Sequence, residues 1–342
     1  MSVATAGGGR TERRSGERAR WQPAVLALLA SAPAAAQQAD TLPPSSIAES
    51  TFTFTSGTMT LEGTVTLPRA RGPVPVALIV AGSGPTDRNG NSGALRSNAY
   101  AQLAWRLAER GIASLRYDKR VLPTARGPLD PARVTFDDFA ADLAAAARAL
   151  DAESRFSQVV VIGHSEGGAL AIRAVKNGLD VLTGMALVST AGRPLTAILH
   201  EQVGRQVDPA TLARFDSAFA NYLEGDEPED VPPALQPLFL PVNRRYAQSL
   251  ADFDPVAELR ATEVPVLVLQ GASDIQVTEA DARALERARS DALVVVLPGL
   301  NHVLKAVADT SLAAQLPAYR DPTTPIAPRV VDELVSWISV LR

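Results

Sequence analysis

The sequence predicts a doubly wound α/β fold, and three observations carry that prediction. Six short runs rich in Val, Ile and Leu, at residues 76–80, 112–115, 159–162, 185–188, 264–269 and 293–297, each abut turn residues. Runs of that length and composition suit strands covered on both faces, the habit of a parallel sheet. Segments with helical spacing alternate with them, and a hairpin pattern precedes them all.

Each element has its own signature. Residues 51–66 alternate in character and break at Ser56-Gly57, which reads as an antiparallel hairpin. Tyr100, Leu103, Ala104 and Leu107 share one helical face, as do Phe136, Phe139, Leu143 and Ala147. Leu170, Ala171, Ala174 and Val175 cluster likewise, with Arg173 expected on the opposite side. Leu285 anchors a further helix, and Val331, Leu334, Val335 and Ile338 close the chain. One connection breaks the rhythm: roughly seventy residues separate the strand ending near Thr190 from the next, far beyond ordinary loop length. It holds amphipathic candidates at 195–207 and 209–223, an acidic patch at 226–230 and a proline-rich stretch at 231–241. Residues 193–255 therefore read as an inserted helical cap, and 37–342 as the domain that carries it.

Bulk properties narrow the function. A chain of 342 residues, 46% hydrophobic, can bury one large core or two modest ones. The net charge of −4 is mixed rather than blocked, and no basic stripe suggests a nucleic-acid partner. With no cysteine, disulfides, thiolate metal sites, a cysteine nucleophile and a lipoprotein anchor are all excluded. Residues 1–36 place Arg10, Arg13, Arg14, Arg18 and Arg20 before an apolar stretch at 23–33 and then Ala34-Ala35-Ala36. That order is the layout of a secretory signal peptide, and the apolar run is too short to span a bilayer. The expectation is an exported protein, with no stable membrane span once the signal is removed; a disordered tail beside a chance apolar run is the alternative.

The sharpest motif is Gly163-His164-Ser165-Glu166-Gly167, between a predicted strand and a predicted helix. G-x-S-x-G in that context is a nucleophile elbow, with Ser165 exposed on a strained turn and the following helix aiming its N–H groups at an oxyanion. A serine hydroxyl needs a base, usually histidine, and the chain has three. His164 adjoins the serine with its side chain expected to point away, and His200 falls in the cap. His302, in a loop just after the last strand, is the candidate base. The orienting carboxylate should lie between the two in the chain, which favours Asp274 after the run at 264–269 over Asp254, whose Asp-Pro context suits a turn.

Two backbone donors should face the developing charge. One is the N–H of Glu166; the other comes from Ala81-Gly82-Ser83-Gly84-Pro85, where Ser83 is preferred and Gly82 stays open. A phosphate cradle is set aside because no lysine follows at Walker spacing. The Glu166 carboxylate is expected to do no chemistry, and the charges of Arg116-Tyr117-Asp118-Lys119-Arg120 to pair with one another. Leu195, Ile198, Leu199, Phe215, Phe219, Tyr222 and Phe239 either line an acyl pocket or form the cap's own core.

Four segments together carry a resemblance: AGSGPTDRNGN at 81–91, RYDKR at 116–120, GHSEGG at 163–168, and LQGASDIQV with GLNHVLK at 269–277 and 299–305. Across residues 51–342 the chain resembles the α/β-hydrolase superfamily, and within it bacterial serine-aminopeptidase-like hydrolases and EstD-type carboxylesterases. The resemblance implies an eight-stranded, mostly parallel sheet flanked by helices, with the cap after the sixth strand. It also implies a triad that falls on Ser165, Asp274 and His302. Ala81 departs from the pattern, standing where many relatives have histidine, so the oxyanion loop should be braced differently. The expected activity is cleavage of a small-molecule carboxylic ester without metal or organic cofactor. A peptidase, thioesterase or acyltransferase could use the same residues, and a non-catalytic binding protein is the reading from another class.

Overall fold

The computed structural model describes residues 43–233 and 235–341. The candidate signal at 1–36 lies outside the described residues. The chain opens on an antiparallel hairpin, β1 (Ala48–Ser56) and β2 (Met59–Leu67), turned at Gly57 with φ +58°. Apart from a two-residue hairpin of Asn91–Ser92 with Leu95–Arg96, six further strands join it: β3 (Val74–Val80), β4 (Ala113–Tyr117), β5 (Phe156–His164), β6 (Leu182–Val188), β7 (Val266–Gly271) and β8 (Leu293–Leu297). They form one eight-stranded sheet in the order β1-β2-β4-β3-β5-β6-β7-β8, parallel from β4 to β8. Strand order reverses at β3, with β4 on one side and β5 on the other. The crevice beyond the carboxyl ends of β3 and β5 is where such a sheet receives ligands.

The sheet buries both faces, which is why its strands lack polar alternation. Val76, Leu78 and Val80 of β3 join one core cluster, and Ala77 and Ile79 join the other. Helices α2 (Phe136–Asp151), α3 (Glu166–Lys176) and α8 (Glu279–Ala288) cover the first face, and α1 (Ala99–Glu109) and α10 (Pro328–Val340) the second. A capping box of Thr135 and Asp138 starts α2.

Between β6 and β7 lie α4 (Leu195–Gly204), α5 (Pro209–Glu224), α6 (Arg244–Ala251) and the short α7 (Pro255–Arg260). Leu199, Phe215, Phe219, Tyr222 and Phe239 pack in a third core of their own. Those five are cap core, whereas Leu195 and Ile198 of the seven acyl-pocket candidates line the apolar cavity beside Ser165.

Arg173 of α3 pairs with Glu258 of α7 and Asp137 of α2 and covers the rings of Phe136 and Phe253. One local expectation needs correction. The charges at 116–120 do not pair with each other. Arg116 meets Glu49, Asp118 meets Arg88, Lys119 meets Glu166, and Arg120 meets Asp138 and Asp142. A strand end among long-range neighbours finds partners on other elements before it finds them next door. Helix α9 (Leu312–Arg320) was not foreseen, because Pro317 and the buried Gln315 interrupt any apolar stripe.

Candidate active site

Ser165 caps the N-terminus of α3 in a conformation that side chains rarely adopt, φ +54° and ψ −119°. Its N–H donates to Val188 O at 2.8 Å, and its carbonyl accepts from Gly168 N at 3.1 Å. The surrounding glycines are packing requirements. A Cβ on Gly163 would sit 2.5 Å from the carbonyl oxygen of Gly167, one on Gly167 would strike the Val80 carbonyl, and one on Gly168 the Thr190 side chain. The turn closes only because those three positions carry no side chain.

Asp274 and His302 reach the site on adjacent loops after β7 and β8. Ser273 N donates to Leu300 O at 3.0 Å and Ala272 N to Leu297 O at 3.0 Å, tying the two loops together. Asp274 Oδ1 accepts from the N–H groups of Gln276 and Val277 at 2.8 and 3.0 Å, while Oδ2 sits 2.8 Å from His302 Nδ1. A carboxylate only accepts, so Nδ1 carries the proton and the lone pair of the neutral ring belongs to Nε2. Burial alone would push the Asp274 carboxyl up; the His302 imidazole and the N–H donors outweigh it and hold it below its ordinary value. Behind His302, the buried Lys305 ammonium donates to Ala318 O and Asp321 O at 2.9 and 2.6 Å, and burial lowers it to about 8.

Ser165 and His302 line one cavity, together with Ser83, Thr86, Ser97, Tyr100 and Tyr319. Ser165 and Ser83 also line a second, more apolar cavity, walled by Ala169, Leu195, Ile198, Leu250 and Phe253. The serine therefore stands between two compartments of different character. Asp254 is remote in role: its carboxylate caps α7 through Val256 N and Ala257 N. His200 pairs with Asp216 on the exposed face of the cap.

His164 is a brace for the site. Its Nε2 meets His302 O at 2.7 Å, and since a carbonyl only accepts, Nε2 carries the proton. Its Nδ1, 2.8 Å from Tyr100 Oη, then accepts from the phenol, whose oxygen in turn accepts from Gly82 N at 3.1 Å. Complete burial, with His302 close by, lowers His164 to about 3, so the ring is neutral. One chain of hydrogen bonds thus runs from the loop after β3 through Tyr100 and His164 to the His302 loop. It engages the N–H of Gly82, the alternative to Ser83 as that loop's candidate donor. Glu166 N, first in α3, has no intrahelical acceptor. The Glu166 side chain is buried, against Lys119 and the hydroxyl of Tyr246.

Sequence reasoning brought positions 165, 274 and 302 forward. It missed Tyr100, Lys119 and Tyr246, whose only local signal was that they are polar groups on segments otherwise read as core or surface.

Residues 77–310 match the Alpha/beta hydrolase family. The chain is 27% identical over 282 residues to esterase EstD of Thermotoga maritima, covering 81% of this chain and 65% of that protein, so it spans less than two thirds of that relative's length. Est1E of Butyrivibrio proteoclasticus, solved with ferulic acid bound, superposes with a TM-score of 0.54 at 15% identity, over 84% of this chain and 99% of that one. Proline iminopeptidase of Mycobacterium smegmatis gives a TM-score of 0.53 at 17% identity, over 85% and 98%. At such identities the two structures speak to the fold alone.

Proposed function

Because this chain belongs to the alpha/beta hydrolase family, we propose that it is a serine carboxylesterase working through a covalent acyl-enzyme. Ser165 Oγ attacks the ester carbonyl carbon while His302 Nε2 takes its proton, with Asp274 holding the ring and stabilising the imidazolium. The N–H groups of Ser83 and Glu166 receive the oxyanion. The tetrahedral species collapses, the alcohol oxygen leaves with the proton from His302, and water deprotonated by His302 then releases the acid and restores Ser165. The observation that carries this reading is the strained serine sharing a cavity with an imidazole whose Nδ1 is committed to a buried carboxylate.

The two cavities suit the two halves of an ester. The leaving oxygen must lie within reach of His302, so the alcohol belongs in the cavity His302 lines, with its Ser83, Thr86 and Ser97 hydroxyls. The acyl chain belongs in the apolar cavity between α3 and the cap. A free amino terminus would call for an unpaired carboxylate. Glu166 is the sole carboxylate among the described residues lining either cavity, and Lys119 already neutralises it. That favours esters over aminopeptides.

Ser165→Ala should lower turnover of p-nitrophenyl esters by at least about 10³-fold while leaving the melting temperature within a degree or two. Turnover at the wild-type rate in that variant would end the proposal.

A further inference from the structure

Lys119 closes β4's loop with its ammonium buried, and both of its hydrogen bonds go to residues that carry the candidate oxyanion donors or hold them. Its Nζ donates to Gly82 O at 2.6 Å and to Glu166 Oε1 at 2.9 Å, and lies 5.3 Å from the centre of the Phe139 ring. The Gly82 carbonyl and the Ser83 N–H belong to one peptide unit. That unit is planar and trans, so its C=O and N–H point in opposite directions. Pinning the carbonyl on Lys119 therefore aims the Ser83 N–H the other way. Ser83 lines both cavities, and Gly82 lies so close to the elbow that a Cβ on it would be 3.1 Å from Ser165 Cβ. On its other side the same peptide run is held by Tyr100 through Gly82 N. The loop is clamped at both groups of Gly82.

The second bond reaches the other donor. The Glu166 carboxylate, joined to Lys119 by one oxygen, receives the hydroxyl of Tyr246 on α6 with the other. Lys119 and Glu166 side chains are each only 5% exposed. Their pairing answers the cost of burying either charge alone.

We infer that Lys119 is a positioning residue for the oxyanion hole, and that α6 of the cap is wired to that hole through Tyr246 and Glu166. The inference rests on the esterase reading above. It predicts that the network acts on transition-state stabilisation and hardly at all on substrate affinity, because Lys119 lines neither cavity.

The test is steady-state kinetics on the full chain with a p-nitrophenyl ester, combined with the infrared carbonyl band of the acyl-enzyme, which reports hydrogen bonding to that oxygen. Lys119→Met alone strands the Glu166 charge, so the informative variant is the neutral pair Lys119→Met/Glu166→Gln. It should lose about 10- to 100-fold in kcat with KM within twofold, and its acyl carbonyl band should move to higher frequency. Tyr246→Phe, a milder change, should lower kcat about threefold in the same pattern. Unchanged kcat and band position in a folded double variant would overturn the inference. So would a rise in KM matching the fall in kcat/KM, which would mean substrate contact. If the double variant does not fold, Tyr246→Phe decides: the predicted kcat loss at constant KM supports the wiring, and wild-type kinetics with an unmoved band refute it. Failure of the esterase reading looks different, since Ser165→Ala would then retain turnover whatever Lys119 does.

Discussion

His164 ties three parts of the site together. Its backbone precedes the candidate nucleophile, one ring nitrogen serves the Tyr100–Gly82 side, and the other holds the carbonyl of His302. A proton on Nδ1 would remove the acceptor that Tyr100 needs, so the network works only with a neutral ring. The folded ring, lowered to about 3, stays neutral where the unfolded ring, with an ordinary value of 6.5, takes up a proton. Stability from this group is complete above pH 6.5 and drains as pH falls towards 3, amounting to roughly 2 kcal/mol by pH 5. Urea unfolding of wild type should therefore lose roughly 2 kcal/mol more between pH 7 and pH 5 than His164→Gln loses. Parallel pH slopes for the two proteins would show that the ring is not held neutral. The motif drew attention to Ser165, and only the three-dimensional partners reveal what its neighbour does, because Tyr100 and His302 lie 64 and 138 residues away in the chain.

At the level of elements, the site is a set of strand ends. The elbow after β5, the loop after β3, and the loops after β7 and β8 all emerge at the carboxyl edge of the parallel strands. Crowding there is severe, and the elbow tolerates it through missing side chains. Gly167→Ala would drive a Cβ into the Val80 carbonyl, a backbone atom of a central strand that cannot step aside. That substitution should cost about 3 kcal/mol in urea unfolding and abolish ester turnover. A fully stable, active Gly167→Ala would mean the turn is looser than described. The strands were legible because burial on both faces leaves unbroken Val, Ile and Leu runs, as in Val159, Val160, Val161 and Ile162 of β5. Asp274 and His302 were legible because each follows such a run in a turn-rich loop. The charge network of β4's end was not, since Arg88, Glu49, Glu166 and Asp142 become its neighbours only once the sheet is assembled.

In the whole molecule, the cap is a separately cored layer placed over the sheet's carboxyl edge. Its aromatic cluster of Phe215, Phe219, Tyr222 and Phe239 packs on itself, and the cap meets the site through other residues, among them Leu195, Ile198 and Gln202 of α4, Leu250 and Tyr246 of α6, and Phe253. The long connection announced an insertion by its length, while the division between cap core and pocket wall depended on how α4 and α5 rotate against each other. If the apolar cavity takes the acyl chain, narrowing it from the cap should change chain-length preference without touching the chemistry. Ile198→Trp should reduce the ratio of kcat/KM for p-nitrophenyl octanoate to that for the acetate by about tenfold or more. A uniform decrease for both esters would instead assign Ile198 to cap stability.

Covalent capture reads out whether Ser165 is the nucleophile. The full chain is treated with a fluorophosphonate, digested, and the modified peptide identified by mass spectrometry. One phosphonyl adduct per chain is expected, on Ser165, absent from Ser165→Ala and formed much more slowly when His302 is replaced by alanine. An adduct on another residue, or ester turnover that persists while Ser165 remains unmodified, would contradict it.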